Sequence, residues 1–398
     1  VKKNVYSNVF IIIITLLPPL FSIPILTNGL GLSVYGQYMA DLSFILLLVV
    51  LSDLGFGMFL PKILAQSESL SEKSQIVTSF FAVKILVLPL ILFIAFLYFN
   101  KTESNYSIFF LFYLAIINFN LTPIMNGLEL YSKLVITTVV SKLVFVFSIF
   151  YFNFQSDGLF KIIVIQVVTQ FIVFIMNFFI VSKIVSFNLN IKKTILIIRE
   201  AFGYYISKLF VNIYQQSSTY IVSMFLSLES VALYSIAIQL YKVGQSFIGA
   251  VSRVLLTTIV KSKDFKVLFT YTKITLAIYS LGLIVVLLFS NVILGFFLTL
   301  DTQILGTLVE ILYISLIFVV FSSYYGYPAL SAINKDNYAH IGIFLSSVGY
   351  FLSVTFFYLM NHMGLIQLVL CIFFADLIGM LSRLYYAKKF GVFCVNKL

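Results

Sequence analysis

Charge is the first thing this sequence has little of. Asp, Glu, Lys and Arg make up 10% of the 398 residues, where a water-soluble domain carries about a quarter. With 61% hydrophobic residues and a mean hydropathy of +1.10, the chain cannot present a surface that water would tolerate, which excludes an ordinary soluble domain. Cysteine is almost absent. Cys371 falls in the last apolar stretch and Cys394 in the tail beyond it, so no disulfide is expected and both read as inert. The only histidines, His340 and His362, stand at opposite ends of one apolar stretch and are too isolated to suggest a catalytic pair or a metal centre. GxxxxGK[ST] and GxGxxG occur nowhere, so direct ATP hydrolysis is improbable and no cofactor is expected. Long polar segments are lacking too, and with them any large domain outside the membrane.

What is present is a succession of apolar stretches long enough to cross a bilayer, about 20 residues each. They run near 6–27, 37–60, 76–99, 107–128, 134–154, 160–183, 201–226, 231–257, 268–298, 307–328, 339–360 and 365–387, so the expected fold is an all-α polytopic membrane protein of about twelve helices. The first is too long for a removable signal peptide and lacks a small-residue cleavage site, so it is expected to be a helix of the mature protein.

Positive charge alternates with these spans. Lys2, Lys3, Lys62, Lys73, Lys133, Lys183, Lys192, Lys193, Arg199, Lys261, Lys263, Lys266, Lys335, Arg383, Lys388, Lys389 and Lys397 fall at one set of junctions, and only Lys101 and Lys161 at the other. The positive-inside rule then puts both termini in the cytoplasm. The net charge of +11 reads as topology and contact with anionic lipid, with no role for nucleic acid.

The longest polar connection, about Ser182 to Glu200, divides the chain into halves: residues 1–184, a cytoplasmic linker at 185–200, and residues 201–398. Laying Lys3 on Arg199 places Val34 on Ser230, Gly36 on Ala232 and Tyr38 on Tyr234 without a gap. Six spans before the linker return the chain to the same side, so the halves are expected to be parallel repeats with substrate passing between two lobes.

Ionisable residues inside spans cost several kcal/mol unless they face protein or water, which makes each a functional candidate. Lys84, Lys142 and Lys208 lie about eight residues, roughly 12 Å, from the cytoplasmic ends of their spans. Lys242 is near the middle of span eight, and Arg253 lies about three turns further along the same face. The five form a candidate cationic ladder that binds substrate; snorkelling to the headgroups is the structural alternative, open above all for Lys84, Lys208 and Arg253. Asp376, in mid-span twelve, and Asp53 are candidates for coupling to an ion, with an ion pair or a backbone hydrogen bond as the alternative. Asn212, Tyr214, Gln215 and Gln216, continued by Ser217, Ser218 and Thr219, suit the wall of an aqueous path for a sugar, extended by Gln239 and Tyr241. Helix–helix hydrogen bonding is the competing role for that run. Pro18, Pro19 and Pro24 interrupt span one and mark it as the candidate hinge; Pro89, Pro123 and Pro328 break later spans.

Leu30-Gly31-Leu32-Ser33-Val34-Tyr35-Gly36-Gln37-Tyr38, then Ser52-Asp53-Leu54-Gly55-Phe56-Gly57, then Lys62-Ile63-Leu64-Ala65, resembles the N-terminal pattern of Wzx-type O-antigen and polysaccharide repeat-unit flippases, members of the multidrug/oligosaccharidyl-lipid/polysaccharide (MOP) exporter superfamily. Lys62 stands where members often carry Arg. The resemblance implies a MATE-like, V-shaped transporter of two six-helix lobes in the bacterial cytoplasmic (inner) membrane, with no enzymatic activity. It would flip undecaprenyl-pyrophosphate-linked oligosaccharide, the O-antigen or capsule repeat unit, to the outer leaflet by alternating access. H+ or Na+ would be the coupling ion, with membrane lipids and a polysaccharide polymerase and chain-length regulator as partners. A multidrug/cation antiporter of the same superfamily calls for a carboxylate-rich cavity, against the excess of lysine here. A membrane polysaccharide polymerase calls for a large external loop with catalytic Arg and His, and the outer loops are short.

Overall fold

The computed structural model describes residues 18, 20–102, 106–155, 157–297 and 302–393. Regular structure among them is helical throughout, as backbone that must satisfy itself in lipid requires. The helices are α1 (Leu20–Leu30), α2 (Leu32–Leu51), α3 (Phe56–Gln66), α4 (Leu70–Lys101), α5 (Ser107–Asn118), α6 (Thr122–Gly127), α7 (Tyr131–Tyr151), α8 (Gly158–Ser182), α9 (Ile191–Phe225), α10 (Leu228–Ser262), α11 (Phe265–Phe297), α12 (Thr302–Tyr325), α13 (Tyr327–Ala332), α14 (Asp336–Leu359) and α15 (Leu365–Lys389). Among the described residues ten stretches are long and apolar enough to cross a membrane; with α9, 35 residues long but more polar, and the shorter apolar α1, the fold is consistent with the expected twelve. The protein is a multi-pass membrane protein.

Two compact units divide it. The first holds the described residues up to Leu30 and Asp41–Ser217; the second holds Gly31–Ala40 and Ser218 onward, so α2 and α9 each contribute to both.

Helix α4 illustrates how an all-apolar helix is sorted without water. Leu86, Leu90, Phe93 and Leu97 recur at helical spacing on its exposed side, while Phe80, Val83, Ile91, Ala95 and Phe99 are buried in the first unit. Its start is capped by a side chain: Ser69 Oγ accepts from Glu72 N at 3.1 Å, and Glu72 favours the N-terminal end of the helix dipole. Helix α10 opens in the same manner on Ser227, with Glu229 in its first turn. Pro89 leaves α4 a continuous helix. The segment leading into α9 is tied to α4 by hydroxyls: Ser186 N donates to Ser74 Oγ at 3.1 Å, Asn188 N to Thr78 Oγ1 at 2.9 Å, and Thr194 and Ser79 pair at 2.8 Å.

Three spans are not continuous helices. The stretch expected at 37–60 stops at Leu51 and restarts as α3, because Leu54 (φ 49°) and Gly55 (φ 86°) turn left-handed. Pro123 and Pro328 are not mid-helix kinks either: each stands in the first turn of a short new helix, α6 or α13, where its missing N–H costs nothing. These two helices end alike. Glu129 and Asn334 adopt φ of 58° and 57°, and the closing bonds Leu130 N to Met125 O (2.9 Å) and Lys335 N to Leu330 O (2.8 Å) are equivalent. The halves thus share a local device, whose proline alone was visible in sequence. Helix α6 packs on α3 in the first unit, and α13 on α10 in the second.

Two of the three sequence patterns near the N-terminus acquire a physical reason. Gly31 (φ 77°) starts α2, and Gly36 lets the α2 backbone meet the first turn of α10 so closely that a Cβ would lie 1.8 Å from Leu228 O. Tyr35 and Tyr38 beside it are buried. A Cβ on Gly55 would lie 2.2 Å from Ala201 O and 2.8 Å from Tyr205 N, so α9 occupies its place. The apolar centre of the first unit, including Phe56, Leu60, Val77, Phe80, Ile124 and Ala201, gathers around that contact. Gly55→Ala should therefore lower the melting temperature of the detergent-solubilised protein clearly more than Gly31→Ala. Gly31→Ala carries only the left-handed penalty, about 1–2 kcal/mol, with no atom within 4 Å of the new methyl. Thermal unfolding followed by size-exclusion chromatography measures the difference.

Candidate functional site

The breaks place polar groups in the middle of apolar helices. Where α2 stops, the carbonyl of Ser52 is freed, and where α5 stops stands Asn118. Lys84, projecting from α4 and 3% exposed, serves both: Nζ donates to Ser52 O at 2.9 Å and to Asn118 Oδ1 at 3.2 Å. Ser52 Oγ donates to Asn118 Oδ1 at 2.8 Å, and Asn118 Nδ2 donates to Lys84 O at 3.4 Å. Asp53 accepts from Gly57 N with both carboxylate oxygens at 3.2 Å, so it caps the start of α3 where the helix dipole favours an anion. Asp53, Lys84, Asn118, Asn120, Thr122 and Asn126 line a cavity of about 260 Å³ in the first unit.

Lys142 lies in a different cavity, of about 280 Å³, where α5, α7 and α8 meet. Its ammonium sits 5.9 Å from the Phe145 ring centroid. Lys84 and Lys142 therefore belong to neighbouring cavities that share Ile117, Asn120 and Thr122.

In the second unit Lys242 is half-buried on α10 and Arg253 is exposed on the same helix. Tyr241 donates to Asp376 Oδ2 and accepts from Gln245 Nε2 at 2.7 Å; Asp376 is buried, held by α10 rather than paired with a lysine. Gln239 Nε2 donates to Tyr35 Oη at 2.9 Å, joining α10 to the first turn of α2. Tyr214 is buried, with Gln215 Nε2 3.4 Å from its hydroxyl, and Gln216 offers its carbonyl to Ser43 Oγ at 2.5 Å. Ser217, Ser218 and Thr219 are buried. Pro18 is buried and Pro24 half-buried within α1. Pro19 and the side chains of Lys208 and Asn212 lie outside the described residues.

Arg383, expected as a junction charge, stands inside α15. Its guanidinium donates to Ser322 O at 2.8 Å and to Ser322 Oγ, and its stem fills the space beside Gly326 and Gly342. It thereby braces the α12–α13 break as Lys84 braces the breaks of the first unit. Asn118, Gln170 and Asn177 were not singled out from the sequence; the available signal was amides inside apolar spans, which in lipid need partners much as charges do.

With this geometry in hand the chain can be compared with known proteins. Residues 1–263 match the sequence profile of the polysaccharide biosynthesis protein family. The chain belongs to that family. Among curated proteins none matches it significantly. Solved structures share its fold: the lipid II flippase MurJ in an inward closed conformation is 17% identical, with a TM-score of 0.74 over 98% of this chain and 88% of that one. An inward-facing multidrug resistance MATE family transporter of the MOP superfamily is 13% identical, with a TM-score of 0.71 over 94% of each chain. VcmN, a MATE transporter of Vibrio cholerae solved in mutant form, is 12% identical, with a TM-score of 0.64 over 98% of this chain and 96% of that one. This member of the polysaccharide biosynthesis family therefore has the MATE-like fold of the MOP superfamily.

The Lys84 cluster should behave as one unit. Lys84→Met leaves the Ser52 carbonyl without the ammonium, which costs about 1–3 kcal/mol for a stranded buried group, and leaves Asn118 Oδ1 with Ser52 Oγ alone. Asn118→Leu should destabilise too, and the double variant should lose less than the sum of the two. Unfolding midpoints of the four proteins in one detergent measure the coupling.

Proposed function

We propose that the protein is a Wzx-type flippase that moves undecaprenyl-pyrophosphate-linked oligosaccharide, an O-antigen or capsule repeat unit, from the inner to the outer leaflet of the bacterial cytoplasmic (inner) membrane by alternating access. The observation that carries this reading is membership of the polysaccharide biosynthesis family together with cations set within the spans. The neighbour that is a lipid II flippase moves a lipid-linked substrate, and the present chain shares its fold.

The chemistry is consistent. A pyrophosphate entering the membrane needs cations that are not already consumed by the fold, and Lys242 qualifies: it is half-buried and makes no hydrogen bond or ion pair among the described residues. Arg253, on the same face of α10, supplies a second charge nearer the predicted cytoplasmic end, with the planar fork that suits phosphate. Lysine offers only a point charge, so affinity should fall with salt where the path is wet. Hydrogen-bonding groups of the kind a glycan needs are Gln215 and Gln216 on α9 in the first unit and Gln239 and Tyr241 on α10 in the second. Asp376, under the Tyr241 hydroxyl, is the group we assign to coupling with H+ or Na+, and Pro18, Pro19 and Pro24 the segment we assign to the hinge. The sidedness follows from the charge at the junctions, with both termini cytoplasmic. A polysaccharide polymerase and a chain-length regulator would act on the translocated product. In a drug antiporter intramembrane carboxylates would be available to cationic drugs, whereas Asp41 and Asp53 each hold a hydrogen bond within the fold.

Deleting the gene should leave completed single repeat units on undecaprenyl pyrophosphate at the cytoplasmic face and remove surface polysaccharide; mass spectrometry of lipid-linked glycans reads both. Single repeats displayed outside would instead identify a polymerase, and unchanged glycans would refute both. Complementation with Lys242→Ala should insert at wild-type levels and restore less than about a tenth of surface polysaccharide, equivalent to a loss of about 1.4 kcal/mol or more. Wild-type restoration would remove Lys242 from the path.

A further inference from the structure

The cavity around Lys142 differs from its neighbour in what its polar groups are doing. The Lys84 ammonium is committed to Ser52 and Asn118. Lys142 makes no hydrogen bond or ion pair among the described residues, and only the Phe145 ring approaches its ammonium. Asn177, one turn before the end of α8, is 1% exposed, and neither Oδ1 nor Nδ2 has a partner. A buried carboxamide left this way is destabilising, and native structures show few such groups. Gln170, two turns earlier on α8, also lines the cavity. Two of the hydroxyls there are spoken for: Ser141 donates to Thr169 O at 3.2 Å and Thr138 to Leu134 O at 2.8 Å.

We propose that the first unit holds a phosphoryl-anion site of its own, in which Lys142 supplies the charge and Gln170 and Asn177 the amide donors. The sign follows from the lining, which contains one lysine and no carboxylate. A cation would find no counter-charge there. At about 280 Å³ the cavity lies at the lower edge of ligand pockets, which span roughly 300–1,000 Å³. It therefore fits a phosphate headgroup and not an oligosaccharide. Asn177 is about 8 Å from the end of α8, near headgroup depth on the side that the junction charges make cytoplasmic. The inference concerns an anion bound within one unit and does not rest on the flippase reading.

The test is thermal unfolding of the full-length protein in a neutral detergent at constant ionic strength. The probes are sodium phosphate and dioctanoyl phosphatidylglycerol, with sodium chloride and dioctanoyl phosphatidylcholine as controls. Wild type should be stabilised by a phosphate-bearing anion over its control. A shift with phosphatidylglycerol alone assigns the site to inner-leaflet lipid; a shift with inorganic phosphate assigns it to a soluble phosphoryl compound. Lys142→Gln should weaken the half-saturating concentration at least tenfold, while Lys161→Gln, an outlying lysine, leaves it unchanged. Asn177→Leu should raise the melting temperature without probe, because an orphaned buried amide is removed, and abolish the shift with it. A purely structural asparagine would give the opposite sign. Absence of any anion-specific shift in wild type, wild-type affinity in Lys142→Gln, or a lower melting temperature in Asn177→Leu without probe would each overturn the proposal.

Discussion

A peptide group freed inside a bilayer has no water to bind, and the organisation of this protein follows from how it meets that constraint. Its helices are interrupted after Leu51, after Asn118 and after Tyr325, and each interruption exposes backbone carbonyls within a membrane-spanning segment. In the first unit Lys84 donates to Ser52 O; in the second Arg383 donates to Ser322 O. Side chains that look like isolated charges in lipid are thus the partners of broken helices. Asp53 completes the arrangement by capping α3 through Gly57 N.

This divides the intramembrane charges by what they have left to offer. Lys84, Arg383 and Asp53 hold the fold, and each sits where its removal would strand a backbone group. Lys142, Lys242 and Arg253 form no hydrogen bond or ion pair among the described residues, so their charge is available to something the chain does not itself provide. The cost of keeping an ammonium in such a place makes sense for a protein whose cargo or lipid surroundings carry phosphate.

The breaks also explain the repeated short helices. A proline in the first turn of α6 and α13 starts a helix without an orphaned N–H, and a left-handed residue, Glu129 or Asn334, stops it six or seven residues later. Each packs against the helix that precedes it by three elements, α3 or α10, whose starts are in turn set by Gly55 and by the Ser227 cap. Glycine at positions 36 and 55 is required by backbone contact, which accounts for two of the patterns by which the family resemblance was readable at all.

Sequence by itself determined the class, the approximate number and limits of the spans and the alternation of junction charge, because each depends on transfer of side chains between water and lipid and is local along the chain; the family pattern was legible as a run of residues, although its glycines answer to packing. Averaging hydropathy over a span hides a break of three or four residues, so 37–60 read as one helix and Pro123 and Pro328 as kinks. Tertiary structure alone decided which polar groups are spent. Whether Lys84 or Lys142 is free depends on carbonyls and amides tens of residues away, and their approach is fixed by helix packing, to which no periodicity in the sequence refers.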